Sequence, residues 1–89
     1  MSADNTNRWI LYIVECNDRT LYTGVTTDIQ RRISEHNYSK RGAKYTKTRR
    51  PVRLVYTEKH DTRSLAQKRE CELKKMSRKK KLELIDEVS

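Results

Sequence analysis

Five side chains in this sequence could together cut a phosphodiester bond. Tyr12 and Tyr22 are ten positions apart, Arg32 and His36 are one helical turn apart, and Glu70 follows much later. A phenol can orient or deprotonate water. A guanidinium matches the fork of a phosphate. An imidazole can donate to a phosphate or relay a proton near neutral pH. A lone carboxylate is enough to anchor a magnesium ion that keeps most of its waters. Each residue also has a plainer reading: core tyrosines, an arginine lying over the core edge, a satisfied histidine and a solvated glutamate.

The elements that must position these groups are legible as strands and helices. Trp9 to Val14 is an apolar, β-rich run whose two faces are both apolar, so it reads as a central strand. Asn17, Asp18 and Arg19 are turn residues, and Thr20 to Thr23 returns as a second strand ended by Gly24. Gly24 permits either a positive φ or a close approach of substrate. A helix follows to about His36, capped by Thr26 or Thr27 with Asp28 in its first turn, and Asn37 is its stop.

On that helix Ile29 and Ile33 define the buried face. At 100° per residue, Arg32 lies about 60° from Ile29 and His36 about 20° to the same side, while Arg31 falls nearly opposite. The wheel therefore selects Arg32 over Arg31.

The next segment is a cationic run. Lys40, Arg41, Lys44, Lys47, Arg49 and Arg50 have Tyr38 and Tyr45 among them, and no acid occurs between Asn37 and Thr57. Gly42 breaks the run, and a short helix spans Ala43 to Thr48. Pro51 precedes a third strand, Val52 to Tyr56, with Val52, Leu54 and Tyr56 on one face. Asp61 or Thr62 caps a helix from about Arg63 to Lys75, with Leu65, Ala66, Leu73 and Met76 as its apolar stripe and Glu70 on the border. Ser77 caps a last helix that buries Leu82, Ile85 and Val88. Arg78, Lys79, Lys80 and Lys81 fill its first turn against the helix dipole, which points to an anion there or to one continuous helix.

Composition narrows the function class. The chain has 89 residues, which is one domain at residues 9–89 after a flexible tail at 1–8. The net charge of +9 is clustered, so the expected partner is a polyanion, nucleic acid before an acidic membrane surface. Cys16 and Cys71 form no zinc-ligand pattern and read as free thiols of a reducing cytoplasm. The start carries no apolar run, so neither a secretory signal nor a membrane span is expected there.

The ordered set carries a resemblance. Ile10-Leu11-Tyr12, then Tyr22-Thr23-Gly24, then Arg32 and His36, then Gly42-Ala43-Lys44-Tyr45-Thr46-Lys47 up to Arg49-Arg50-Pro51, then Ala66, Glu70 and Leu73, resembles the GIY-YIG nuclease superfamily. The likeness runs from Trp9 to Ile85 and is strongest to small stand-alone bacterial members. It implies an α+β fold, a three-stranded antiparallel sheet flanked by helices, in the order strand, strand, helix, short helix, strand, helix, helix.

It also implies DNA hydrolysis with one divalent ion, Mg2+ or Mn2+, held by Glu70. Arg32 would clamp the scissile phosphate, Tyr12 and Tyr22 would position or activate water, and His36 would assist. Gly24, Asn37, Lys40, Arg41, Lys44, Lys47, Arg49 and Arg50 would line the nucleic acid. The DNA would be recognised by structure, as branches or single-stranded ends, in repair, recombination or processing, by a monomer or weak dimer, alone or with a targeting protein partner. The first motif reads Ile10-Leu11-Tyr12 in place of Gly-Ile-Tyr and the second Tyr22-Thr23-Gly24 in place of Tyr-Ile-Gly, and neither change removes a reactive group. No asparagine follows Asn37, where many members carry one late in the chain, and no second domain of the kind that chooses the DNA target in relatives is expected. These last two departures support an alternative, a nucleic-acid-binding module with weak or no catalysis. A further alternative is an accessory subunit whose partner completes the site.

Overall fold

In the computed structural model, residues 8–87 are described. The chain forms strands β1 (Trp9–Glu15) and β2 (Leu21–Thr26), helices α1 (Ile29–Tyr38) and α2 (Lys44–Lys47), strand β3 (Arg53–His60), and helices α3 (Arg63–Lys74) and α4 (Arg78–Glu87). The sheet order is β2-β1-β3, antiparallel throughout. The α+β class, the element order and the central place of β1 match the sequence expectation. Most of the expected tail, and the expected burial of Val88, lie outside the described residues.

β1 is central because both of its faces are apolar. Leu11 and Ile13 pack with Tyr56 and Leu73, joined by Val25, Met76, Leu84 and Ile85. Tyr12, Val14, Cys16 and Val52 form a second cluster on the opposite face, covered by Tyr22, Ile29 and Ile33. So α3 and α4 cover one face of the sheet and α1 the other.

Several sequence boundaries move. β2 runs on to Thr26, and Gly24 lies inside it, opposite Tyr12, without a positive φ. The positive φ of the hairpin belongs to Arg19 (71°), while Asp18 accepts from the Thr20 N–H and hydroxyl. Asp28, not a threonine, caps α1, its carboxylate accepting from the Arg31 N–H at 3.1 Å. Thr26 instead accepts from the Asp28 N–H.

β3 reaches His60, and its register against β1 slips between Ile13 and Val14: Ile13 faces Tyr56 while Val14 faces Leu54. This bulge leaves Val55 as the extra residue and puts Tyr56 and Val52 on opposite faces, against the alternation expected from sequence.

Thr62 caps α3 as expected, and Ala66 and Leu73 are buried, but Leu65 is exposed. α3 and α4 are separate helices, the Ser77 hydroxyl accepting from the Lys80 N–H. α4 packs through Leu84 and Ile85, and Leu82 is exposed. Beside Tyr56, Glu58 accepts from the Tyr56 hydroxyl and from Arg69 Nε at 3.1 Å, and lies 3.0 Å from His60 Nε2. No described helix is long and apolar enough to cross a membrane.

Candidate active site

The site grows from the face of β1 that α1 covers. Ile29 and Ile33 pin α1 to the sheet, which carries His36 inward. His36 is fully buried and Tyr12 is 1% exposed. Tyr12 Oη and His36 Nε2 are 2.7 Å apart. The other ring nitrogen, Nδ1, is 2.9 Å from the hydroxyl of Thr46, which is also fully buried. The His36 ring stands edge-on to both tyrosines, 5.7 Å from the Tyr12 ring and 5.5 Å from the Tyr22 ring.

Gly24 makes room for this. A Cβ there would lie 2.5 Å from Tyr12 Oη and 2.7 Å from its Cζ. A close approach anticipated at Gly24 is made by the Tyr12 phenol within the protein. Gly42 has a related function, since a Cβ there would lie 2.6 Å from the Glu35 carbonyl.

Arg32 sits at the rim, with its side chain 23% exposed. Nη1 donates to Glu35 Oε1 and to the Arg41 carbonyl, each at 2.8 Å. Arg31, the residue set aside on the wheel, is 60% exposed. Tyr22 is half-buried and stacks on Tyr45 at 5.8 Å, and the Arg49 guanidinium lies 4.0 Å from the Tyr45 ring centre. Among the described residues the Tyr22 hydroxyl has no hydrogen-bond partner.

The electrostatics follow from burial. Tyr12 is pushed up to about 12, by desolvation first; the Arg32 guanidinium pulls the other way, and the charges of Tyr22 and Glu70 push up further. His36 is lowered to about 4, by burial first and then by the Arg32 charge, against which Glu35 acts. At neutral pH both groups are therefore uncharged. For Arg32, burial is outweighed by the bond to Glu35 and the proximity of Tyr12, so its pKa is raised.

Glu70 comes from α3, on the other side of the sheet, yet its charge reaches Tyr12. Its carboxylate is 21% exposed and, among the described residues, pairs with the exposed Lys74 at 3.2 Å. No three His, Cys, Asp or Glu side chains converge as a ligand set among the described residues. The donor set is thus one accessible carboxylate, which fits an ion that keeps its waters and borrows substrate oxygens.

The basic run divides. Lys40, Arg41, Lys44 and Lys47 are exposed. Arg50 instead turns inward, donating to the carbonyls of Glu35, His36 and Ser39 at the end of α1. Arg49 is held by Asp18 Oδ2 at 3.1 Å and the Tyr45 carbonyl. Asn37 spends both ends of its amide on the Val52 backbone, accepting at 2.7 Å and donating at 3.2 Å.

Sequence reasoning passed over Thr46 and Glu35. Glu35 was visible as an acid three residues after Arg32. Thr46 stood inside a motif of the resemblance but gave no signal of its own role, being one polar residue between Tyr45 and Lys47 in a charged segment.

Comparison with known proteins gives the chain a family. Residues 8–83 match the family described as the GIY-YIG catalytic domain. The chain is similar to a UPF0213 protein of Syntrophus aciditrophicus, 59% identical over 75 residues covering 84% of this chain and 86% of that one. It is also similar to a UPF0213 protein of Staphylococcus saprophyticus, 60% identical over 77 residues covering 86% and 93%. Among solved structures, it resembles the solution structure of the Bacillus halodurans UPF0213 protein at a TM-score of 0.57, with 46% identity over 88% of this chain and 82% of that one. A second solution structure, of an E. faecalis protein, gives 0.61 with 43% identity over 89% and 83%.

Proposed function

The chain belongs to the GIY-YIG catalytic domain family, a nuclease superfamily, and from that premise we propose that it is a metal-dependent endonuclease that hydrolyses DNA phosphodiester bonds. The observation that carries the reading is the contact between Tyr12 and His36, 2.7 Å, inside the core beside Arg32. A buried phenol bonded to a buried imidazole at the foot of a guanidinium is an arrangement for moving a proton next to an anion.

The roles follow from position. Arg32 binds the scissile phosphate; Glu35 and the Arg41 carbonyl fix its guanidinium in one orientation, and its charge opposes the negative charge that builds up on the phosphate oxygens. Tyr12 receives the proton of the attacking water while releasing its own to His36, so the phenol never carries a full charge. This suits a tyrosine raised to about 12, for which a free phenolate is scarce. The imidazolium that results is costly in a buried site, and the incoming phosphate charge offsets that cost. The leaving oxygen takes its proton from solvent. Tyr22, with an open hydroxyl against His36, orients the water.

Glu70 would hold one Mg2+ or Mn2+, which when bound supplies Lewis-acid stabilisation of the phosphate oxygens. Lys40, Arg41, Lys44 and Lys47 would follow the phosphate backbone without reading bases, so that DNA shape, not sequence, selects the substrate. Work on DNA in repair or processing, in the cytoplasm, fits such a site.

The second reading is a nucleic-acid-binding module with little chemistry. The absence of an asparagine after Asn37 and the pairing of Glu70 with Lys74 favour it. Metal-dependent cleavage separates the two, with Glu70→Ala and Arg32→Ala as controls.

A further inference from the structure

The Tyr12–His36 contact leaves open which way its hydrogen points, and the surroundings answer it. The Tyr12 hydroxyl is buried, and among the described residues the groups that hydrogen-bond it are His36 and Arg32, with Tyr22 and Glu70 acting on it through charge alone. An arginine only donates. The phenol hydrogen therefore goes to Nε2, and a neutral His36 must carry its own hydrogen on Nδ1. That hydrogen needs an acceptor, and the Thr46 oxygen is 2.9 Å away. The Thr46 hydroxyl in turn donates to the Ala43 carbonyl at 2.9 Å. Each hydrogen of the chain Tyr12, His36, Thr46, Ala43 then points the same way.

A competitor is also present. The Ala43 N–H lies 3.4 Å from Nδ1, too long to win against the hydroxyl but able to donate if the hydroxyl were gone. In that case a hydrogen kept on Nδ1 would face the Ala43 N–H with neither satisfied, so the hydrogen would move to Nε2 and point at the Tyr12 oxygen, leaving the phenol hydrogen as the single unsatisfied donor. His36 would then have no lone pair to take the phenol proton.

We infer that Thr46 is a positioning residue that locks His36 in the Nδ1–H tautomer and so keeps Nε2 as the acceptor for Tyr12. The consequence for catalysis rests on the nuclease reading above; the tautomer itself does not. The charged and titratable groups facing His36 are Arg32 and Glu35 of α1, Arg50, and the two tyrosines of β1 and β2. Of the charges acting on it, Glu35 favours the imidazolium, and Arg32 and Arg50 oppose it. The neutral ring whose tautomer matters is thus the resting form.

The test is nitrogen-15 NMR of the imidazole rings in the full chain, feasible with only two histidines, His36 and His60. Wild type and Thr46→Ser are expected to show His36 protonated at Nδ1. Thr46→Val is expected to show it protonated at Nε2. On DNA, Thr46→Val should lower kcat by about 10²-fold with KM unchanged, and Thr46→Ser should restore most of it. An Nε2–H tautomer in wild type overturns the assignment without any variant. So does a folded Thr46→Val that keeps the Nδ1–H tautomer or full kcat. Failure of wild type to cut any substrate would overturn the nuclease reading, and the ring spectra would still decide the tautomer.

Discussion

Gly24 and Tyr12 face each other across β2 and β1, and a Cβ on Gly24 would lie 2.5 Å from the Tyr12 hydroxyl oxygen. The glycine of the second motif is thus the floor on which the tyrosine of the first rests. Gly24→Ala is expected to push the ring out of reach of His36 and to destabilise by about 1–3 kcal/mol, as overpacking does in a tight core. Urea denaturation gives the stability and the His36 ring shift gives the lost contact. An unchanged midpoint with an unchanged shift would show that the floor is not needed.

Arg50 and Lys44 come from one basic run but should behave oppositely. Arg50 binds three carbonyls at the end of α1, so Arg50→Ala should cost about 1–3 kcal/mol. Lys44 is exposed, so Lys44→Ala should leave stability alone, weaken DNA binding, and reduce the slope of log K against log salt by about 0.9. Thermal melts and binding at several salt concentrations check both. Equal effects from the two would mean that the run acts as one charged face.

This contrast marks what the sequence could tell. The strand and helix order followed from apolar period and from Thr62 and Gly42, all local signals, while the threonine expected to cap α1 gave way to Asp28. The choice of Arg32 over Arg31 followed from the helix wheel. What stayed hidden depended on partners distant in sequence. The bulge at Val55 is set by how β3 registers on Ile13 and Val14, so strand alternation misplaced Tyr56. The inward turn of Arg50 and Asn37 depends on where the chain returns 15 residues after Glu35 and Asn37. Thr46 belongs to a buried network through His36, and no periodicity announces it.

His36 ties stability to pH. Its pKa in the folded protein is about 4, below the ordinary 6.5, so between these values the unfolded chain binds more protons than the native one. Its contribution is complete above pH 6.5 and is lost as pH falls toward 4, by about 3 kcal/mol. His36→Gln should show a smaller fall in unfolding free energy between pH 7 and pH 4.5 than wild type. Parallel curves would place the acid sensitivity elsewhere.

Glu58 lies on the other side of the sheet from Tyr12, bonded by Tyr56 and Arg69 and beside His60. Glu58→Ala strands these donors and should destabilise by about 1–3 kcal/mol, while the rate of DNA cleavage below the melting range stays within about twofold of wild type. A large loss of cleavage by a folded variant would mean that the two faces are coupled through β1.

The most direct measurement is cleavage of labelled duplex, flap and four-way-junction DNA with Mg2+, Mn2+ or EDTA, for wild type, Glu70→Ala and Arg32→Ala. The expected result is metal-dependent cutting of at least one substrate, reduced by about 10²-fold or more in both variants while DNA binding persists. Binding without cutting on every substrate and metal, or cutting that survives both substitutions, would contradict the assignment of Glu70 and Arg32 to a nuclease site.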